Sequence, residues 1–248
     1  MKWLSIHRER PSILWGLGIL LLLLSSLYLG KGFYQLAIAN FGDGLNLQRN
    51  AQDLFARWQE QYYVLQGHYP YFVREGSLHV NFEIGPVKSG GYPPWAFWTA
   101  LFLVPSWSWP ATRLYFTLLN LVALGVVGVF SYRVGAAYGR SQGLLALGSV
   151  LAISANTTTL NNGQYGLVLN ALLIGMYCLL EQRRGILAGL VLAIAFIKPN
   201  VSGFFLFILI AQKRLGALVA FSAYLGFASL AVWRMTGVSP LQMINTVR

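Results

Sequence analysis

The chain has 248 residues, 56% of them apolar and only 10% charged, with a net charge of +11. That balance excludes an ordinary soluble domain, and long apolar runs between short polar breaks predict a polytopic α-helical membrane protein. The excess of Lys and Arg flanks those runs, as topology signals do. No basic groove or binding motif accompanies it, so no nucleic-acid partner is expected.

Lys2, Arg8 and Arg10 precede an apolar run at 13–29. The run is too long for a signal peptide and has no clean small-residue cleavage site. It predicts an uncleaved first transmembrane helix, 13–30, with its N-terminus in the cytoplasm. An external loop, 31–91, follows and holds five of the seven acids: Asp43, Asp53, Glu60, Glu75 and Glu83. Within it, Ala51, Leu54, Phe55, Trp58, Tyr62 and Leu65 recur at helical spacing, which predicts an amphipathic surface helix over 50–66. Asp53, Arg57 and Glu60 fall on its polar face, and Gly67 is placed to end it.

Further apolar runs lie at 95–104, 114–132, 144–153, 167–180, 186–197, 204–211 and 215–232. Basic breaks at Arg133 and Arg140, Arg183 and Arg184, and Lys213 and Arg214 alternate with polar breaks at 156–164 and 198–200. The positive-inside rule makes the basic breaks cytoplasmic and the polar ones external. That assignment requires the run at 95–104, bounded by Pro94 and Pro105, not to cross. It is only about half the ~20 residues a span needs. The runs beside Lys198-Pro199 are also short, which predicts a helix break below the external surface. The whole chain, 1–248, is expected to form a single integral membrane domain.

Asp53 is the candidate acid for chemistry. The alternative is structural, with Asn50 as an N-cap and Arg57 as a partner four residues on. Lys198, between apolar runs, either snorkels to the interface or offers a point charge to a lipid phosphate. Asn161, Asn162 and Gln164 form an amide cluster at a predicted helix start. It reads either as an ordinary loop or as hydrogen-bonding groups for a sugar or phosphate. Tyr92-Pro93-Pro94 sets the angle at which the chain re-enters the membrane. His68 and His79 lack zinc-ligand spacing. Cys178 is the only cysteine, which excludes an intrachain disulfide. No glycine-rich nucleotide loop and no Ser/His/Asp signature is present, so no metal and no cofactor are expected.

The sequence of pieces is similar to that of bacterial polyprenyl-phosphate-mannose-dependent mannosyltransferases, glycosyltransferase family 87, of GT-C type. The matching pieces are Asp53 on a helix running to Gly67-x-x-Pro70-Tyr71, then Tyr92-Pro93-Pro94, Asn162-Gly163-Gln164, and Ala188-Gly189 leading to Lys198-Pro199. There are two departures. Gly166 stands where the family usually has Asn, and the chain ends with fewer apolar runs, so a C-terminally short member is expected.

The resemblance implies a GT-C type helical bundle in the plasma membrane with an extracytoplasmic active site. It implies inverting transfer of a hexose, mannose above all, from a polyprenyl-phosphate sugar donor to a glycolipid or glycan acceptor. Asp53 would be the base, and Lys198 and Arg57 would hold the donor phosphate. Trp58, Tyr62, Tyr92, Asn162 and Gln164 would contact substrate. The rival is a non-enzymatic lipid carrier or truncated helper subunit that keeps the fold.

Overall fold

The computed structural model describes residues 11–37, 51–73, 75–81, 83–87 and 91–245. Lys2, Arg8, Arg10, Asp43 and Asn50 lie outside the described residues, so the expected N-cap on Asn50 does too. Helices form almost all of what is described: α1 (Pro11–Ala37), α2 (Gln52–Leu65), a 3-10 turn (Pro70–Phe72), α3 (Pro94–Leu103), α4 (Trp109–Ala136), α5 (Arg140–Leu151), α6 (Ser154–Asn162), α7 (Gly166–Glu181), α8 (Gly185–Ala195), α9 (Pro199–Ala211), α10 (Leu215–Thr236) and α11 (Pro240–Asn245). The described residues contain no strand. Ile13–Ala37, Trp109–Ala136 and Leu215–Thr236 are long and apolar enough to cross a membrane, and α5 with α6, bent by 41°, would make a fourth span. The protein is an all-α membrane protein.

Two expectations change in detail. The first helix does not stop where its apolar run stops but continues to Ala37. The reason is tertiary: Arg113 on α4 donates to the carbonyls of Leu36 and Gln35, both at 2.8 Å, and so satisfies acceptors that a helix end leaves free. The break at 156–164 is not a plain loop, because 154–162 is helical. Asn156 turns its amide back to Val150 O at 2.9 Å and closes the end of α5.

The bundle has two groups. One holds α1, α4, α5 and α6; the other holds α3, α8, α9 and α10; α7 packs between α4 and α8. Small residues let the backbones approach. A Cβ on Gly135 would meet Gln142 O at 2.5 Å, and one on Gly148 would meet Gly18 O at 2.8 Å. At Gly189 a Cβ would run into Ala217 O, so the Ala188-Gly189 pair is where α8 closes on α10.

These contacts fix direction. Gly135 faces Gly143 and Gly128 faces Leu147, so α4 and α5 are antiparallel. Phe116 meets Tyr165 and Phe130 meets Tyr177, so α4 and α7 are parallel. Gly189 meets Ala217, with Gly216 beside Ile186, so α8 and α10 are parallel. The turns carrying Arg133 and Arg140, Arg183 and Arg184, and Lys213 and Arg214 therefore share one end of the bundle. α2 lies at the other end, against α3, α4, α6 and α10. α3 leaves α2 and returns to it. Tyr92, just before α3, carries Arg57 over its ring, and Trp107, just after it, accepts from Trp58 Nε1 at 2.8 Å.

Candidate functional site

The site is built on the first turn of α2. Ala51 precedes that turn with φ 58°, and its N–H donates to Asn161 O at 2.6 Å. Left-handed alanine is unusual, and such strain persists only where the surroundings hold it. The holder is the α6–α7 turn. Gly163 has φ 68°, and a Cβ on it would lie 2.5 Å from Leu54 Cβ. Only glycine tolerates both the angle and the approach. The next residue, Gln164, donates from Nε2 to Asp53 Oδ2 at 2.5 Å. Asp53 is exposed and sits in the first turn, where free N–H groups favour a carboxylate.

Arg57 and Glu60 continue the stripe that Asp53 begins. The sequence puts them on an open polar face, but the fold closes over that face. Arg57, Glu60 and Gln61 are buried, at 6%, 1% and 0% exposed. Arg57 Nη1 lies 2.6 Å from Glu60 Oε2, and its guanidinium lies 4.1 Å above the Tyr92 ring, a cation–π contact. The Tyr71 hydroxyl is hydrogen-bonded to Glu60 and Arg57 and accepts from Tyr92 N at 2.9 Å. Burial pushes the Glu60 carboxyl from 4.5 up to about 8, and Arg57 and Tyr71 draw it back only in part. Burial works against the Arg57 charge, but Glu60 and the phenols around it outweigh that and hold the guanidinium protonated. Burial also raises the Tyr92 phenol, which feels the charge of Asp53 as well.

Beyond Tyr92 the site continues to the α8–α9 break. Trp95 donates from Nε1 to Phe196 O at 3.0 Å and stacks on the Phe196 ring. Lys198 follows as the N-cap of α9, half-buried, and no hydrogen bond or ion pair engages its side chain among the described residues. Asp53, Gln164, Arg57 and Tyr92 thus form one layer, and Trp95, three residues after Tyr92, reaches the turn before Lys198. Asn162 is half-buried at the end of α6, beside Gly163.

Trp58 and Tyr62 stand apart from it. Trp58 is buried among Phe55 and Trp109, and its indole N–H is committed to Trp107 O. Tyr62 is nine residues past Asp53, about 13 Å along the axis and half a turn round it. It lines a separate polar cleft of about 250 Å³ with Gln66, His68, His79 and Asn81. His68 and His79 stack there at 4.3 Å. Among the described residues no three His, Cys, Asp or Glu are grouped to hold a metal ion.

Sequence reasoning missed the burial of Glu60 and the part played by Tyr71. The available signal was spacing: Glu60 is seven residues from Asp53 and three from Arg57, so one stripe carries all three.

The fold and this layer define a helical membrane protein with an acid held at one end of its bundle. Residues 91–243 match Glycosyltransferase family 87. The match spans more than half of the chain, and the chain belongs to that family, the membrane glycosyltransferases. It includes Tyr92, Asn162, Gln164 and Lys198 and begins after α2. No curated protein and no solved structure matches the chain.

Proposed function

We propose that the protein transfers a hexose, mannose above all, from a polyprenyl-phosphate sugar to the hydroxyl of a glycolipid or glycan, with Asp53 as general base. The observation that carries this is the exposed Asp53 carboxylate, oriented by Gln164 on the end of α2. An acceptor hydroxyl is a poor nucleophile and needs a base in reach. Asp53 takes its proton as the acceptor oxygen bonds to the anomeric carbon. The bond from that carbon to the phosphate oxygen breaks, and the polyprenyl phosphate leaves with the electron pair. Attack opposite the leaving group inverts the anomeric centre.

Lys198 supplies charge to the departing phosphate, where negative charge develops. Its place at a break between short helices suits a lipid-linked group arriving from the membrane. Tyr92, whose phenol feels the Asp53 charge, and Asn162, beside Gly163 at the end of α6, are offered as sugar contacts. Arg57, enclosed by Glu60 and Tyr92, acts through its charge and through the tyrosine. Trp58 and Tyr62 serve packing and the separate cleft. The basic ends of the helices face the cytoplasm in this proposal, and α2 faces outward from the plasma membrane.

The test is transfer from labelled polyprenyl-phosphate mannose in membranes. Asp53→Asn should accumulate and fold normally but lose transfer by about 10²-fold or more; full activity would remove Asp53 as the base. Lys198→Ala should weaken use of the donor more than use of the acceptor, and equal effects would remove the phosphate contact.

A further inference from the structure

We propose that Glu60 is a positioning residue: with Tyr71 it fixes Arg57 and Tyr92 beneath Asp53 and sets the net charge that a donor phosphate meets there. This rests on the proposed donor and goes beyond it by assigning a role to a buried carboxyl that touches no substrate.

Three features of the geometry lead to it. First, Asp53, Arg57 and Glu60 lie on one stripe of α2, so Arg57 is one turn below Asp53 and Glu60 one turn below Arg57. Second, Glu60 has two partners, the Arg57 guanidinium at 2.6 Å and the Tyr71 hydroxyl. Tyr71 accepts the Tyr92 N–H, which ties the Tyr92-Pro93-Pro94 segment to the same carboxyl. Third, Oε1 of Glu60 has no hydrogen-bond partner among the described residues though it is fully enclosed. An ionised carboxylate left half-satisfied in such a place is costly, so its charge state is finely balanced.

The charge follows from that balance. While Glu60 holds a proton, Arg57 balances the Asp53 carboxylate and the stripe carries no net charge against an anion nearby. Once Glu60 ionises, it cancels Arg57, and the Asp53 carboxylate is the charge that remains on the stripe. Glu60 is held at about 8 by burial. The ionisable groups that face the pair are Tyr71 in the 3-10 turn, Tyr92 before α3 and Tyr165 at the start of α7, and Asp53 reaches it through Tyr92. Burial raises the phenols of Tyr71 and Tyr92 further from neutrality, so neither titrates near pH 8. The donor is a phosphate diester with no proton to exchange in that range.

The experiment measures the dissociation constant of labelled polyprenyl-phosphate mannose on the purified full chain in detergent, from about pH 7 to about pH 9. In the wild type, binding should weaken roughly three- to tenfold as pH rises through the Glu60 transition, the size expected for one charge at about 10 Å. Glu60→Gln should bind as tightly as the wild type does at the low end and stay flat across the range. Asp53→Asn should lose turnover and keep the pH dependence, which separates failure of the base from failure of this role. A flat wild-type profile, which needs no variant to fold, overturns the role of Glu60 alone. An equal loss in Glu60→Gln does the same. No binding at any pH overturns it together with the donor.

Discussion

Gln164 and Glu60 show how two residues on either side of Asp53 do different work. Gln164 holds the carboxylate from outside at 2.5 Å. Hydrogen bonds to charged groups are worth about 1.5–3 kcal/mol, so Gln164→Ala should lower the turnover number about 10- to 100-fold with little change in melting temperature. Assay of the purified variant against wild type checks it, and unchanged turnover would make the contact incidental. Glu60 acts from within, and its effect on stability has a definite sign. The folded carboxyl is held at about 8 against an ordinary 4.5, so between those values the folded chain keeps a proton that the unfolded chain has lost. Its contribution is fully present below about pH 4.5 and is lost as pH rises through 8. Melting curves in detergent should fall with rising pH across that window, and Glu60→Gln should flatten the fall.

At the scale of elements, the close approaches are made by glycines that sequence periodicity cannot rank. Gly163 both adopts a left-handed angle and lies against Leu54. Gly163→Ala should destabilise the fold by about 1–3 kcal/mol and should also separate Gln164 from Asp53, so that stability and transfer fall together. Gly189→Ala pushes α8 off Ala217 and should lower stability with no specific change in donor affinity. Equal behaviour of the two variants would mean that the α6–α7 turn has no particular link to the site. The run at 95–104, read from its length as too short to cross, forms a ten-residue helix with both ends at α2. Length was legible because it depends on the apolar run alone. The continuation of α1 to Ala37 was not, because Arg113 is 76 residues further along the chain than Ala37.

At the scale of the whole molecule, the antiparallel and parallel packings put three basic turns at the end opposite α2. That arrangement agrees with alternation of basic and polar breaks in the sequence. With Cys178 replaced by Ala, single cysteines at exposed Thr158 and exposed Arg183 should label from opposite sides of intact cells, Thr158→Cys from outside. Labelling of Thr158→Cys from the cytoplasm alone would invert the proposed topology.

Composition and the spacing of apolar runs determined by themselves that this is a helical membrane protein. The order of Asp53, Tyr92-Pro93-Pro94, Gln164 and Lys198-Pro199 pointed to the glycosyltransferase family to which the chain belongs. Both are legible because hydrophobic length and motif order are properties of a line of residues. Only the tertiary structure decided that Gln164 meets Asp53, that Arg57 turns inward to Glu60, and that Trp58 is spent on packing. A helical period assigns residues to a face, but what covers that face is set by elements far along the chain. Here the α6–α7 turn and the segment before α3 close over α2, and they convert a polar surface stripe into an exposed acid backed by the buried Arg57 and Glu60.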